Sequence, residues 1–383
     1  MLQKGLESTL YFGPWYRKSP FFECTRRHGA KAYDIYNHMY LPGYYDDVEK
    51  EYWHLLNHVT LWDVAVERQV EITGPDGAKF TQLLTPRDLT KCPVGMGKYV
   101  VITAPDGGVI NDPVLMRLGK NHFWLSLANS DVLLYALGIA SQTNLDVHIR
   151  EPDVSPLQIQ GPKSRHVLKA LFGSRVLEMP YYSFFEADLD GIPVVVTRTG
   201  WTAEVGYEIY LRDGSKGEEL WDAVMEAGDP FDILPIAPNE IRRIEAGILN
   251  YGSDITLENN PFEVGLGWLV DLGQKADFIG KRALRRIKKE GVKRKLVGVE
   301  IEGNPLSYWL PEYWDVRDDG RKIGRLTALT YSPRLRKNIG YALVPIEYAK
   351  PGARLTVETT LGKRTATVVK KPFVDPEKTT PKS

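Results

Sequence analysis

Cysteine is almost missing from this sequence. Cys24 and Cys92 are the only two among 383 residues, and neither sits in a CxxC pair, so no disulfide framework or cysteine zinc site is available. The seven histidines show no metal-ligand spacing, and no metal is expected. Neither sign of charge is in excess. Lysine plus arginine and aspartate plus glutamate number 49 each, which leaves no global field to recruit nucleic acid or an anionic membrane. The longest apolar stretch, around Val132–Ala140, is far too short to span a bilayer. The first residues, Met-Leu-Gln-Lys-Gly-Leu-Glu, lack the apolar core of a secretory signal. A cytoplasmic protein in a reducing compartment is the expectation. Also missing are a GxGxxG opening a βαβ unit, a P-loop, HExxH and GxSxG. An enzyme built on this chain therefore works with a bound organic cofactor or by positioning.

With 43% apolar and 26% charged residues, the chain reads as globular, and its length suits two or three domains. One internal echo stands out. Val70–Leu84 and Leu157–Leu171 both run from an alternating strand through Gly-Pro into a helix, with apolar helical positions five and nine residues past the proline. Two such units predict two related α+β subdomains side by side. From about residue 291 the texture changes. Leu296–Gly303, Lys322–Tyr331, Asn338–Pro345, Ala353–Thr359 and Arg364–Lys370 read as short strands between Gly, Pro or Asn turns, a small all-β barrel or sandwich. The spacing predicts a helix over Pro238–Gly252 with Ile241, Ile244 and Ile248 on one stripe and Glu240, Arg242 and Arg243 off it. The basic run from Lys281 to Lys295 reads as a solvated helix face and linker, and the tail after Phe373 as loosely held.

Three features could carry chemistry. In Tyr207–Leu211, Tyr207, Ile209 and Leu211 form one apolar face, so Glu208 and Tyr210 point together to the other. A carboxylate beside a phenol suits a flat ring with paired N–H donors; the same pattern also describes a surface strand whose polar residues meet water. Asp106-Gly107-Gly108 marks a hairpin turn. On its return strand Asp112 shares a face with Ile110, Val114 and Met116 if simple alternation holds, with a bulge or edge at Pro113. An aspartate among apolar neighbours must be hydrogen-bonded, paired or neutral, and structural and functional readings stand level. The aromatic clusters Tyr33–Tyr45 and Tyr181–Phe185 supply faces that stabilise onium cations by ~0.5–2 kcal/mol each, although most such residues belong to cores.

Taken together, the blocks Gly107–Asp112, Arg198–Glu208, Arg243–Gly252, Asn260–Trp268, Asp277–Leu284 and Tyr331–Gly340 resemble the aminomethyltransferase (glycine-cleavage T-protein) family of tetrahydrofolate-dependent enzymes. They are collinear and span nearly the whole chain. Within that family, Lys31–Met39, Trp62–Glu71, Leu84–Leu89, Ser126–Leu134 and Glu151–Pro162 are most similar to the dimethylsulfoniopropionate demethylase branch. Asn111-Asp112 stands where T-proteins usually have Asp-Asp, and Trp201-Thr-Ala-Glu204 where they have Tyr-Thr-Gly-Glu. The resemblance implies an α+β, three-domain cloverleaf: 1–56 with 148–238, 57–147 with 239–290, and an all-β domain over 291–383. It implies tetrahydrofolate as methyl acceptor, bound by Glu208, Tyr210, Tyr99 and Arg243, with Asp112 catalytic. Either Asn111 or Asp112 could align with the family's catalytic position, and a structural ion pair remains the alternative for Arg243. Trp201, Tyr36 and Tyr182 are candidates for the substrate wall. The expected reaction moves a methyl group from dimethylsulfoniopropionate to N5 of tetrahydrofolate. The alternatives are another methylated donor (glycine betaine, dimethylglycine or an aryl methyl ether), glycine-cleavage aminomethyl transfer, or folate binding without catalysis. The expected partners are small molecules, and a homodimer is one option for the assembly.

Overall fold

A computed structural model describes residues 11–306, 310 and 312–383. The first ten residues, read above for a secretory signal, lie outside them. The two Gly-Pro units fold as their patterns dictate. Strand Gln69–Thr73 leads into helix Gly77–Leu84, and strand Ser155–Gln160 into helix Ser164–Phe172. Phe80, Leu84 and Val167 are buried in their cores, and Leu171 packs at the margin. Each proline sits in the turn ahead of its helix instead of inside the first turn. The preceding glycines are obligatory. Gly74 and Gly161 have φ of +106° and +117°, and a Cβ would lie 2.6 Å from the Asp146 carbonyl and 2.5 Å from that of His58.

The first unit belongs to a five-stranded antiparallel sheet in the order 148–150, 69–73, 122–126, 114–119, 96–99. The second belongs to a six-stranded sheet ordered 184–189, 192–197, 206–211, 155–160, 59–63, 233–235, antiparallel except for its last pair. Two strands cross the expected domain seams. Val59–Asp63 pairs into the sheet of the 148–238 segment, and His148–Arg150 into that of the 57–147 segment. The C-terminal part closes into a six-stranded barrel, which leaves no sheet edge exposed. Five of its strands fall on those predicted; the sixth, Trp314–Asp318, was not foreseen. The helix Lys281–Glu290 carries the basic run, though Lys281 itself is buried and donates to the carbonyls of Gln274 and Ala276. Among the described residues, no helix is long and apolar enough to cross a membrane.

The helix expected over Pro238–Gly252 is shorter, Glu240–Glu245. Asn239 caps its start by accepting from the Arg242 N–H. It ends because Gly247 turns left-handed at φ +71° and the Tyr341 hydroxyl takes the carbonyls of Ile244 and Ile248 at 2.9 and 3.2 Å. Ile241 and Ile244 are buried as the stripe requires, whereas Ile248 leaves it. Arg242 and Arg243, expected off the stripe, are inside, 1% and 2% exposed. Arg242 donates to Glu204 at 2.7 Å. The Glu245 carboxylate accepts the Tyr52 hydroxyl at 2.8 Å and the Ser332 hydroxyl at 2.6 Å, and its carbonyl takes the N–H groups of Phe373 and Val374. One short helix thus touches the six-stranded sheet unit, through Glu204 and Tyr52, and the barrel, through Ser332. The tail read as loosely held is also fixed: Asp375 accepts from the Thr379 and Thr380 N–H groups, Pro381 is buried, and Arg198 and Arg165 hold the Ser383 carbonyl.

Removing Glu245 strands two buried hydroxyls and takes a carboxylate from beside the buried Arg242. Glu245→Ala should therefore destabilise the fold by about 3–5 kcal/mol, read as a lowered urea midpoint. An unchanged midpoint would refute the joining role.

Candidate active site

Pro113 cannot donate to a ladder, and the hairpin return breaks there into Val109–Asn111 and Val114–Gly119. Asp112 lies in the gap. The break changes its facing: Ile110 and Met116 pack into cores, while Asp112 and Val114 line a cavity. The neighbouring Asn111 is wholly occupied within the protein. Its amide donates to the Ala128 carbonyl at 2.9 Å and to the Ser130 hydroxyl at 2.8 Å, and its oxygen accepts the Ala128 N–H at 3.1 Å. Of the pair, only Asp112 lines the cavity. Its Oδ2 accepts the Tyr99 hydroxyl at 2.7 Å and its Oδ1 has no protein partner. Burial pushes the Asp112 carboxyl up to about 7, against the Tyr99 hydrogen bond that favours the charged form.

The cavity measures about 740 Å³ and lies where both sheet units, the Glu240–Glu245 helix and the barrel meet. Tyr99, Tyr36, Tyr182 and Trp201 line it together with Asp112. Glu208, Tyr210 and Arg243 do not. The strand argument holds for direction, since Glu208 and Tyr210 point away from the core packed by Tyr207, Ile209 and Leu211. Yet neither meets water. Glu208 accepts from Gln158 at 2.7 Å, from the Tyr210 hydroxyl at 2.9 Å and from Thr199, and the cavity wall in front of it is Gln158 and Glu67. Arg243 is spent on Glu240, on Asp254 at 2.8 Å and on the Ile248 carbonyl, with the Trp201 ring 5.7 Å from its guanidinium. That is the ion-pair alternative, and it also braces a wall residue.

Sequence reasoning missed Glu67 and Gln158. Both are single polar residues set into apolar runs, Val64-Ala65-Val66 and Leu157/Ile159, and that interruption was the available signal. It also missed the lysines of the cavity mouth, Lys295, Lys371 and Lys378. Burial pushes half-buried Lys371 down to about 8. Elsewhere, ligand atoms of His54, His58 and Asp232 fall within 4.8 Å of one another. This i, i+4 histidine pair was not recognised as metal-ligand spacing. The Lys163 ammonium, 3.0 Å from His58 Nδ1, already supplies a cation at that corner.

Residues 21–274 match the GCVT N-terminal domain, and residues 294–375 match the glycine cleavage T-protein C-terminal barrel domain. The chain belongs to the glycine-cleavage T-protein family. It is 38% identical over 354 residues to the dimethylsulfoniopropionate demethylase of Ruegeria pomeroyi, covering 92% of this chain and 96% of that one. It is 31% identical over 363 residues to the aminomethyltransferase of Bacillus subtilis, covering 93% and 99%. In fold it is similar to the glycine cleavage system aminomethyltransferase T of Bartonella henselae, with a TM-score of 0.83, 24% identity and coverage of 94% and 98%. The α+β architecture with a C-terminal barrel is therefore that of the T-protein. Family members are tetrahydrofolate-dependent transferases. The cavity fits such a ligand on three counts. Aromatic walls suit a flat ring, the carboxyl groups of Asp112 and Glu67 suit its N–H groups, and lysines at the mouth suit its carboxylates.

The Asp112 carboxyl has an ordinary value of 3.8 and stands near 7 in the fold, so the folded protein holds this proton more tightly than the unfolded chain. That contribution to stability is complete below pH 3.8 and is lost as pH rises through 7. Asp112→Asn should accordingly be more stable than the parent at pH 8, by on the order of 2–4 kcal/mol. The gap should close towards pH 4, as followed by melting temperature. A gap that widens in acid would contradict the assigned burial.

Proposed function

We propose that the protein is a tetrahydrofolate-dependent demethylase that moves a methyl group from dimethylsulfoniopropionate to N5 of tetrahydrofolate, giving 3-methylthiopropionate and 5-methyltetrahydrofolate. One observation carries the reading: Asp112, a buried carboxyl whose Oδ1 has no protein partner, lines a cavity walled by Tyr36, Tyr99, Tyr182 and Trp201. Aromatic faces and one carboxylate stabilise an onium cation in a pocket that excludes most water. The full-length likeness to the Ruegeria demethylase supports the same choice. Two free, buried cysteines suit a cytoplasmic setting.

When bound, tetrahydrofolate supplies the N5 lone pair that takes the methyl group. The C–S bond would break with its electron pair left on sulfur, so a neutral thioether would depart without a general acid, and the proton displaced from N5 would be released to solvent. The protein's part is alignment and electrostatics. Asp112 favours the cation and is itself aimed by Tyr99. Tyr36 is held by the Asn129 N–H at 3.1 Å, and Trp201 lies against Arg243. Glu208 and Tyr210 act from behind Gln158 instead of touching the ligand. Aminomethyl transfer is the second reading, favoured by the 31% identity to the Bacillus enzyme along its whole length.

The deciding experiment offers purified protein tetrahydrofolate with dimethylsulfoniopropionate, glycine betaine or vanillate in separate reactions, with products resolved by chromatography. 5-Methyltetrahydrofolate is expected with the sulfonium alone. Product with a different donor keeps the mechanism and changes the substrate. No product with any donor sinks the demethylase reading in favour of aminomethyl transfer or of folate binding without turnover. Asp112→Ala should lower kcat/KM roughly a hundredfold, the scale on which loss of one preorganised electrostatic contact is felt. Unchanged turnover would remove Asp112 from the mechanism.

A further inference from the structure

One group of metal-ligating side chains stands apart from the cavity. The helix Val48–Asn57 carries His54 in its last turn, and His58 follows at its C-terminal cap. Positions i and i+4 share a helix face, and the two imidazoles stack with ring centroids 4.7 Å apart. Asp232 meets them from the turn that precedes strand Ile233–Pro235. Ligand atoms of the three residues lie within 4.8 Å of one another, the one such trio among the described residues.

The hydrogen bonding at this corner does not close. His58 Nδ1 lies 3.0 Å from the Lys163 ammonium and 3.0 Å from the Asp232 carboxylate. An ammonium only donates and a carboxylate only accepts. With a proton on Nδ1, the Asp232 contact is made and Lys163 faces a second donor. Without that proton, Lys163 is accepted and the Nδ1 lone pair faces a carboxylate oxygen. One neighbour is mismatched in either tautomer.

A metal ion between Nδ1 and the carboxylate satisfies both at once. Two imidazole nitrogens and a carboxylate oxygen suit zinc, nickel or copper(II) over magnesium and calcium, which take oxygen sets. Donors on a tetrahedral zinc stand about 3.3 Å apart, so the trio closes by at most about 1.5 Å. The corner has room to move, since the His58 and Asp232 side chains are 35% and 66% exposed. His54 Nε2 donates to the Asp232 carbonyl at 2.7 Å. It becomes a ligand when that proton shifts to Nδ1, a change of tautomer with no proton gained or lost.

We propose that His54, His58 and Asp232 form a site for a divalent transition-metal ion of the zinc class, which takes the place of the Lys163 ammonium beside His58. The ion would tie the helix Val48–Asn57 to the turn ahead of the sheet's parallel edge strand. That helix also carries Tyr52, which Glu245 holds, so the brace bears on the joint between sheet and barrel. The inference is independent of the folate reading.

The test titrates zinc chloride, nickel chloride and magnesium chloride separately into chelator-treated, tag-free full-length protein, followed by calorimetry. One equivalent of zinc or nickel should bind, and magnesium should not. His54→Gln and Asp232→Asn should each weaken zinc by about tenfold or more, since even the outer partners of metal ligands cost that much. Lys163→Met removes the competing cation and should tighten zinc by about tenfold. Saturating zinc should raise the melting temperature of the parent and leave that of His54→Gln in place. Melting temperatures without metal establish that each variant is folded. The inference is overturned if the parent takes up neither zinc nor nickel, or binds magnesium equally well. It is also overturned if zinc binding survives both ligand substitutions, or if Lys163→Met binds zinc no more tightly than the parent.

Discussion

Three parts of this molecule are held in register by charges that have nowhere else to go. The six residues Glu240–Glu245 place Arg242, Arg243 and Glu245 in the interior, and each finds its partner on a different part of the chain. Arg242 reaches Glu204 of the loop beside Trp201; Arg243 reaches Asp254, whose second oxygen accepts the Thr327 hydroxyl of the barrel at 2.7 Å. Glu245 joins Tyr52 to Ser332. Such buried pairs add little net stability, because desolvation consumes most of the attraction. They are intolerant of displacement, since a shift of either partner leaves a buried charge exposed to low dielectric. The outcome is a fixed relative placement of the six-stranded sheet unit, the loop that carries Asp254 and the barrel. The cavity lies between these parts and the five-stranded sheet, and Glu240 and Ile248–Tyr251 form part of its wall.

How much of this could be read from sequence depended on the range of the interaction. Local chemistry was legible. Gly-Pro after an alternating strand announced both strand–helix units, and short alternating runs between turn residues announced five barrel strands. Trp314–Asp318 escaped because its pairing comes from closure: it is bonded on one side to Arg321–Ser332 and on the other to Arg354–Thr359, with a register shift at Val316/Arg317. The stop of the helix at Glu245 was invisible for a similar reason. Gly247 permits the turn, but the hydroxyl that collects the freed carbonyls belongs to Tyr341, nearly a hundred residues away.

The same limit governed the site. Period-two alternation established that Glu208 and Tyr210 share a face. It could not establish that cross-strand registry sets Gln158 directly opposite Glu208, so that the glutamine, and Glu67 beyond it, stand between the inferred carboxylate and the cavity. Asp112 was legible as a buried acid, but its facing was set by Pro113, which breaks the alternation that the simple count assumed. Arg243 was expected to bind folate only because the family resemblance implied it. Its two carboxylate partners come from one turn back and from the following loop, and with the Ile248 carbonyl they take most of its donors.

The cavity is polar in a directed sense. One wall carries the carboxyl groups of Glu67 and Asp112 with an unmet amide oxygen, while the mouth carries Lys295, Lys371 and Lys378. The two ends differ in how strongly they can act. Lys295 and Lys378 are exposed, so their fields are screened within about 8 Å at physiological salt and serve mainly to steer an incoming anion. Lys371 is half-buried above the Tyr341 ring, 5.0 Å from its centroid, and without an anionic partner its ammonium is held near 8. A carboxylate arriving there would raise that value and so would be bound more tightly than by a surface lysine. At the opposite wall, acceptors already desolvated by the fold gain only from N–H groups. A ligand with N–H donors at one end and carboxylates at the other would meet both kinds of group along this cavity.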